Sequence, residues 1–197
     1  RDFCLSRGLG DVYKRQYVTR AEVVQMLYLM GTGQTNPVVP PPILEEINIS
    51  IEDTYAVSSG QFLQEVEKVP KSILEQFSKE DWSLVVGNKE LAVWNYKNGM
   101  SASGLTIFGE KTLFVANAGS TIHEFGHFLH HHVQVPEMVK QLYEKEATQA
   151  EVLLGEYAMT NDNEYFAEVF EYWNASNGDE GRLSRLQAAA PGTYAYF

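Results

Sequence analysis

The segment that most restricts how this chain can fold is Ser120 to Val133, STIHEFGHFLHHHV. Ile122, Phe125, Phe128 and Leu129 recur at helical spacing and give one helix a buried side. His123 and His127 are four residues apart, so their rings lie about 40° apart around the axis and one turn apart along it. All five histidines of the chain fall between His123 and His132. Any fold must therefore cover the apolar flank of this helix while giving its imidazole flank something to do.

His123-Glu124-Phe125-Gly126-His127 has the form H-E-x-x-H. Two neutral imidazoles on one face suit a single Zn²⁺ at about 2.0–2.1 Å each. Glu124, one position round, sits near such an ion and can accept a proton from a water it polarises. The simpler alternative is that Thr121 and Glu124 form a capping box and the histidines a solvated face.

A zinc site of this kind needs a third ligand. The metzincin continuation would require Gly at His130 and His at Val133, and neither is present. His131 shares the face of His127 but is eight residues from His123, and His130 to His132 read as exposed helix-end residues favoured by the helix dipole. Glu164 and Glu168 are better placed. They are i and i+4 on a helical run containing Phe166, Val169, Phe170 and Trp173, where carboxylates are costly unless paired or metal-bound. One would bind the ion and the other would hold a ligand histidine from behind. Spacing alone does not say which.

Elsewhere, the apolar spacing from Ser59 to Phe77 predicts helices broken at Pro70. Trp82–Val86 and Leu91–Tyr96 read as strands joined across Gly87-Asn88. Leu105–Phe108 and Thr112–Ala116 read as a hairpin around Gly109-Glu110. Helices are expected from Pro136 to about Leu154 and from Asn163 to Trp173. Strands then helices make an α+β class. Thr112–Ala116, just before the site helix, is the expected edge strand along which an extended peptide would lie. Gly99 to Gly104 (GMSASG) reads as a flap.

The front of the chain is different. Residues 1–16 show no periodicity and resemble a non-native leader. Residues 17–30 (YVTRAEVVQMLYLM) predict a capped helix and resemble the closing helix of an S-layer homology repeat, which implies cell-wall polymer binding through further repeats. Residues 31–42 hold four of the seven prolines and form an extended linker. The domain proper is placed at 43–197. Fifteen Lys+Arg against 26 Asp+Glu give a net charge of -11, which argues against nucleic acid as a partner. No run of about 18 apolar residues predicts a membrane span. Cys4 is the single cysteine, so no intrachain disulfide is possible.

HEFGH, followed by the run Tyr157 to Phe170 (YAMTNDNEYFAEVF) and the closing Ala190-Pro191-Gly192-Thr193-Tyr194, resembles the lethal-factor-type catalytic domain. That zinc metallopeptidase group contains the toxin lethal factor and the secreted bacterial Pro-Pro endopeptidases. The resemblance implies a zincin-like fold: a mixed sheet with an edge strand, then the active-site helix and a helical C-terminal half. It implies one Zn²⁺ held by His123, His127 and Glu164, with Glu124 as general base and Glu168 behind the ligands. Tyr157, seven residues before Glu164, would donate to the oxyanion. It further implies an extracellular or cell-wall-associated endopeptidase with an extended peptide substrate, possible Pro-Pro specificity included. The Pro-Pro endopeptidases carry a Gly-Trp substrate loop that is not matched here; Trp94 is the candidate to replace its indole. The alternatives are a non-catalytic zinc-containing surface-binding module and a toxin-type peptidase of different specificity.

Overall fold

A computed structural model describes residues 47–51, 59–87, 89–133 and 136–197. The leader at 1–16, the helix expected at 17–30 and the linker at 31–42 lie outside the described residues. So does Asn88 of the expected first hairpin. Four strands are described: β1 (Asn48–Ile51), β2 (Ser83–Val86), β3 (Gly104–Ile107) and β4 (Thr112–Val115). The first helices are α1 (Ser59–Lys68), α2 (Lys71–Lys79) and α3 (Lys89–Asn98). After the sheet come α4 (Ser120–His131), α5 (Pro136–Leu154), α6 (Asp162–Ala175), α7 (Glu180–Ala189) and the short α8 (Pro191–Tyr194).

The sheet order is β1-β2-β4-β3, with β1/β2 and β2/β4 parallel and β3/β4 antiparallel. This is the expected α+β class with a mixed sheet and a helical C-terminal half. Parallel neighbours cannot be joined by a tight turn. The chain therefore crosses over through α1 and α2 between β1 and β2, and through α3 on its way from β2 to β4.

That topology corrects two expectations. Leu91–Tyr96 is not a strand but the middle of α3. Its Val, Trp and Tyr suit a strand locally, but the crossover demands a helix, and Gly99 ends it. Gly99 adopts φ +63° and the Met100 N–H bonds the Asn95 carbonyl at 3.0 Å, a helix stop that glycine permits. Thr112–Val115 is not the edge either. The parallel pairing with β2 puts it inside the sheet, and among the described residues the edge beside the site is β3. The hairpin itself forms as expected, its turn closing at Lys111 in the left-handed region.

The main core lies between the sheet, α1, α2 and α4. Phe62, Leu63, Val66, Leu74 and Phe77 meet Trp82, Leu84, Leu113 and Val115, and the apolar flank of α4 seals them through Ile122, Phe125 and Phe128. Rings of Phe77, Phe125, Phe128 and Trp82 pack with centroids 5.0–6.0 Å apart. A second cluster joins α5, α6 and α7 through Ala150, Tyr165, Val169 and Leu186. Buried Glu146 of α5 ties down the closing segment. It accepts hydrogen bonds from Gly192 N, Thr193 N, the Thr193 hydroxyl and the Tyr165 hydroxyl, so its charge is fully satisfied.

Helices α4 and α6 pack backbone to backbone where Gly126 meets Ala167. A Cβ added at Gly126 would lie 2.7 Å from the Ala167 Cα and 3.1 Å from its Cβ. Two small residues thus bring the backbones together one turn from His123 and Glu164. Gly126→Ala would force the helices apart. Overpacking of this kind costs about 1–3 kcal/mol, against at most ~1 kcal/mol gained in helix propensity. The expected result is a thermal midpoint lower by a few degrees in a melting experiment; an unchanged or raised midpoint would refute the tight contact.

Candidate active site

Both histidines of H-E-x-x-H point their Nε2 atoms at one place. The two Nε2 atoms are 3.1 Å apart, and Glu164 Oε2 lies 3.0 Å from that of His123 and 3.4 Å from that of His127. Bonds of about 2.0–2.1 Å in a tetrahedral arrangement place ligand atoms about 3.3–3.4 Å from one another. The donor set, two imidazoles and a carboxylate, therefore fits a zinc-type ion in both chemistry and spacing. Asn161 caps α6 by accepting from Glu164 N at 3.0 Å, which sets Glu164 in the first turn of the helix.

The ring orientation of His123 separates the two carboxylates that spacing could not. Its Nδ1 lies 3.0 Å from Glu168 Oε1, on the side away from Glu164, so Glu168 orients the ring and Glu164 faces the convergence point. Glu171 is a third carboxylate at 3.6 Å from the same Nδ1, one turn further along α6, and was not among the residues expected at the site. Its i+7 relation to Glu164 was the available signal.

The electrostatics follow from this crowding. Burial alone would lower the His123 pKa, but Glu164, Glu168 and Glu171 override it and push it up to about 12. Burial likewise works to raise Glu164, yet hydrogen bonds from His123 and His127 hold it well below the carboxylate range. Glu124, 3% exposed, is raised by burial, with partial relief from His127 and from the Thr106 hydroxyl. Tyr157 is raised by burial and then by the charge of Glu164, so its phenol stays protonated.

Glu124 does not cap its helix. Asn117 accepts from Ser120 N instead, and the Glu124 carboxylate turns to β3, where the Thr106 hydroxyl donates to Oε2 at 2.6 Å. Tyr157 sits in a 3-10 turn, Glu156–Met159, entered through Gly155 at φ +90° and held by a Tyr143 hydroxyl bond to the Met159 carbonyl. Its ring lies 5.8 Å from that of His123, the residue is 58% exposed, and its hydroxyl is turned to Glu164.

Two cavities flank this centre. A larger one of about 500 Å³ is lined by Ser101, Ser103, Ser120, Tyr157, Glu168 and Glu171. A smaller one of about 230 Å³ is lined by Trp94, Met100, Leu105, Phe108, His127 and Asn161. Trp94 is half-buried on α3 and reaches the site, rather than filling the core.

Two further segments adjoin the site, and for one of them the expectation is corrected. The segment Gly99 to Gly104, expected as a flap, is hydrogen-bonded to α3 and α4 along its second half. The Asn95 side chain bonds both the N–H and the carbonyl of Ala102 at 2.9 Å, and Ser103 is held by Ser120 and Ala116 N. His130 to His132 are not a uniformly exposed end. His131 is exposed and stacks on Phe108, but His130 is half-buried against Phe166 and His132 bridges the Phe128 carbonyl and Glu80.

Residues 44–197 match a protein family described as anthrax toxin lethal factor, N- and C-terminal domain. Among solved structures, the chain is similar to a Pro-Pro endopeptidase from Paenibacillus alvei. The TM-score is 0.54 at 21% identity, covering 78% of this chain and 97% of that one. At that identity the likeness speaks for the fold alone. No curated protein sequence matches the chain.

If Glu168 orients His123, Glu168→Ala should weaken metal retention by roughly ten- to a hundredfold. Competition against a chromogenic chelator measures this directly; unchanged affinity would remove Glu168 from the site.

Proposed function

The chain belongs to the anthrax toxin lethal factor family, and from that premise we propose that it is a zinc-dependent metalloendopeptidase. Family and fold together are those of a metallopeptidase; the residue roles and the substrate are our reading. The observation that carries it is the convergence of His123 Nε2, His127 Nε2 and Glu164 Oε2, with Glu124 alongside and, among the described residues, a strand edge beyond.

His123, His127 and Glu164 would hold the ion. When bound, Zn²⁺ supplies a Lewis acid that lowers the pKa of a water to about 7 and polarises the peptide carbonyl. The residues of the chain do the rest. Glu124, buried and raised above an ordinary carboxylate, takes the proton from the attacking water and later gives it to the leaving amine nitrogen. The Tyr157 phenol donates a hydrogen bond to the oxygen on which negative charge develops, and carries no charge of its own beforehand. No covalent acyl-enzyme is needed.

The substrate is an extended peptide added to the edge of β3. The indole of Trp94 and the neighbouring Met100 and Phe108 offer an apolar surface beside the cut, suited to proline rings. This supports cleavage of proline-rich, Pro-Pro-type sequences, the activity named for the Paenibacillus alvei neighbour. Residues 17–30, with their S-layer-like signature, support an extracellular, cell-wall-tethered setting. A purely structural zinc would normally take four protein ligands. Among the described residues the group on the Nε2 side of His123 offers three, Glu168 and Glu171 lying on its Nδ1 side, which favours catalysis over a surface-binding module. No helix of the described residues is long and apolar enough to cross a membrane.

The test is digestion of a combinatorial peptide library that includes Pro-Pro sequences, with and without a zinc chelator. Glu124→Ala should keep its zinc and lose turnover by at least about a hundredfold. Glu164→Ala should lose both. Full activity in Glu124→Ala, or activity indifferent to the chelator, would overturn the assignment.

A further inference from the structure

We propose that Gly104 and Thr106 of β3 form the seat that positions Glu124 for proton transfer. The inference rests on the peptidase reading and adds two positioning residues to it.

In a strand, residues i and i+2 face the same way. Gly104 and Thr106 share a face of β3, and Glu124 of α4 comes down onto it. Thr106 Oγ1 donates to Glu124 Oε2 at 2.6 Å. At Gly104 the other oxygen, Oε1, occupies the space a Cβ would need, and an added Cβ would collide with it. One carboxylate oxygen is thus held by a hydroxyl and the other is admitted by a missing side chain. Both contacts are side-specific: Leu105 and Ile107 point the opposite way and cannot substitute.

The position of this seat matters because, among the described residues, β3 is the sheet edge beside the site. A peptide added as a strand bonds the same few residues through their main chain, while the face of β3 turned to α4 holds the base. A single strand then sets both the register of the peptide and the place of Glu124, so the base meets the scissile bond without a separate adjustment. Misplacement of a reacting group by about 1 Å can reduce a rate by around a hundredfold. Buried Glu124, at 3% exposure, has little room to recover its position through solvent.

Four variants of the full chain decide the matter: Thr106→Val, Thr106→Ser, Gly104→Ala and Glu124→Gln. Each is assayed on the fluorescence-quenched peptide cut fastest by the parent in a library screen, with zinc content and thermal midpoint measured in parallel. Thr106→Val and Gly104→Ala are expected to lower kcat by about ten- to a hundredfold. KM should stay within about twofold and zinc near one per chain, as for loss of an interaction made in the transition state. Thr106→Ser keeps the hydroxyl and should stay within about threefold of the parent. The seat is refuted if Thr106→Val stays within about threefold of the parent, or if Thr106→Ser is as slow as Thr106→Val. It is equally refuted if the loss tracks lost zinc or a raised KM. Should Thr106→Val fail to fold, Gly104→Ala and Thr106→Ser carry the same decision. Glu124→Gln separates the two levels: if it is inactive while Thr106→Val is not, only the seat fails, whereas a fully active Glu124→Gln removes the peptidase reading itself.

Discussion

The contact of Gly126 with Ala167 is the constraint on which the rest of the site depends. It brings α4 and α6 to a backbone separation that leaves no room for a methyl group. Glu164 lies three residues before Ala167 and Glu168 one after it, while His123 and His127 bracket Gly126. The close approach therefore places Glu164 against both imidazoles and Glu168 against that of His123. Loosening it by the width of one carbon would change the 3.0 and 3.4 Å separations of Glu164 from the two imidazoles, on which the fit to an ion rests.

Around this contact the two halves of the fold have separate tasks. The sheet side supplies the edge strand, the segment held by Asn95 and Ser120, and the carboxylate-facing residues of β3. The helical side supplies Glu164, Glu168 and Tyr157. The closing segment is part of that second half: Glu146 gathers Gly192, Thr193 and Tyr165, and Tyr165 follows Glu164 directly in the chain. A buried carboxylate with four donors is an anchor rather than a reactive group, so the C-terminal strap stiffens α6 from behind.

Much of this was legible in the sequence, for identifiable reasons. The helical spacing of Ile122, Phe125 and Phe128 predicts the buried flank of α4, and those residues are buried. Glu164 and Glu168 stand out because charge on an apolar helix needs a partner. Their division of labour was not legible, since it turns on which nitrogen of His123 faces which carboxylate. The misassigned α3 has a similar cause: its Val, Trp and Tyr suit a strand in isolation, and only the parallel pairing of β2 with β4 demands a crossover. The same pairing decides that β3, not β4, is the edge. Thr106 and Gly104 carried a faint signal, a small and a hydroxyl residue two apart in a strand, but nothing local says that α4 packs on that face.

The proposed activity depends on one ion held by His123, His127 and Glu164. X-ray absorption at the zinc edge, on protein purified without chelator, tests this most directly. The prediction is one zinc per chain with nitrogen and oxygen neighbours at about 2.0–2.1 Å, including two imidazoles, and loss of that signal in Glu164→Ala. Zinc absent from the purified protein, or a spectrum unchanged in Glu164→Ala, would contradict it.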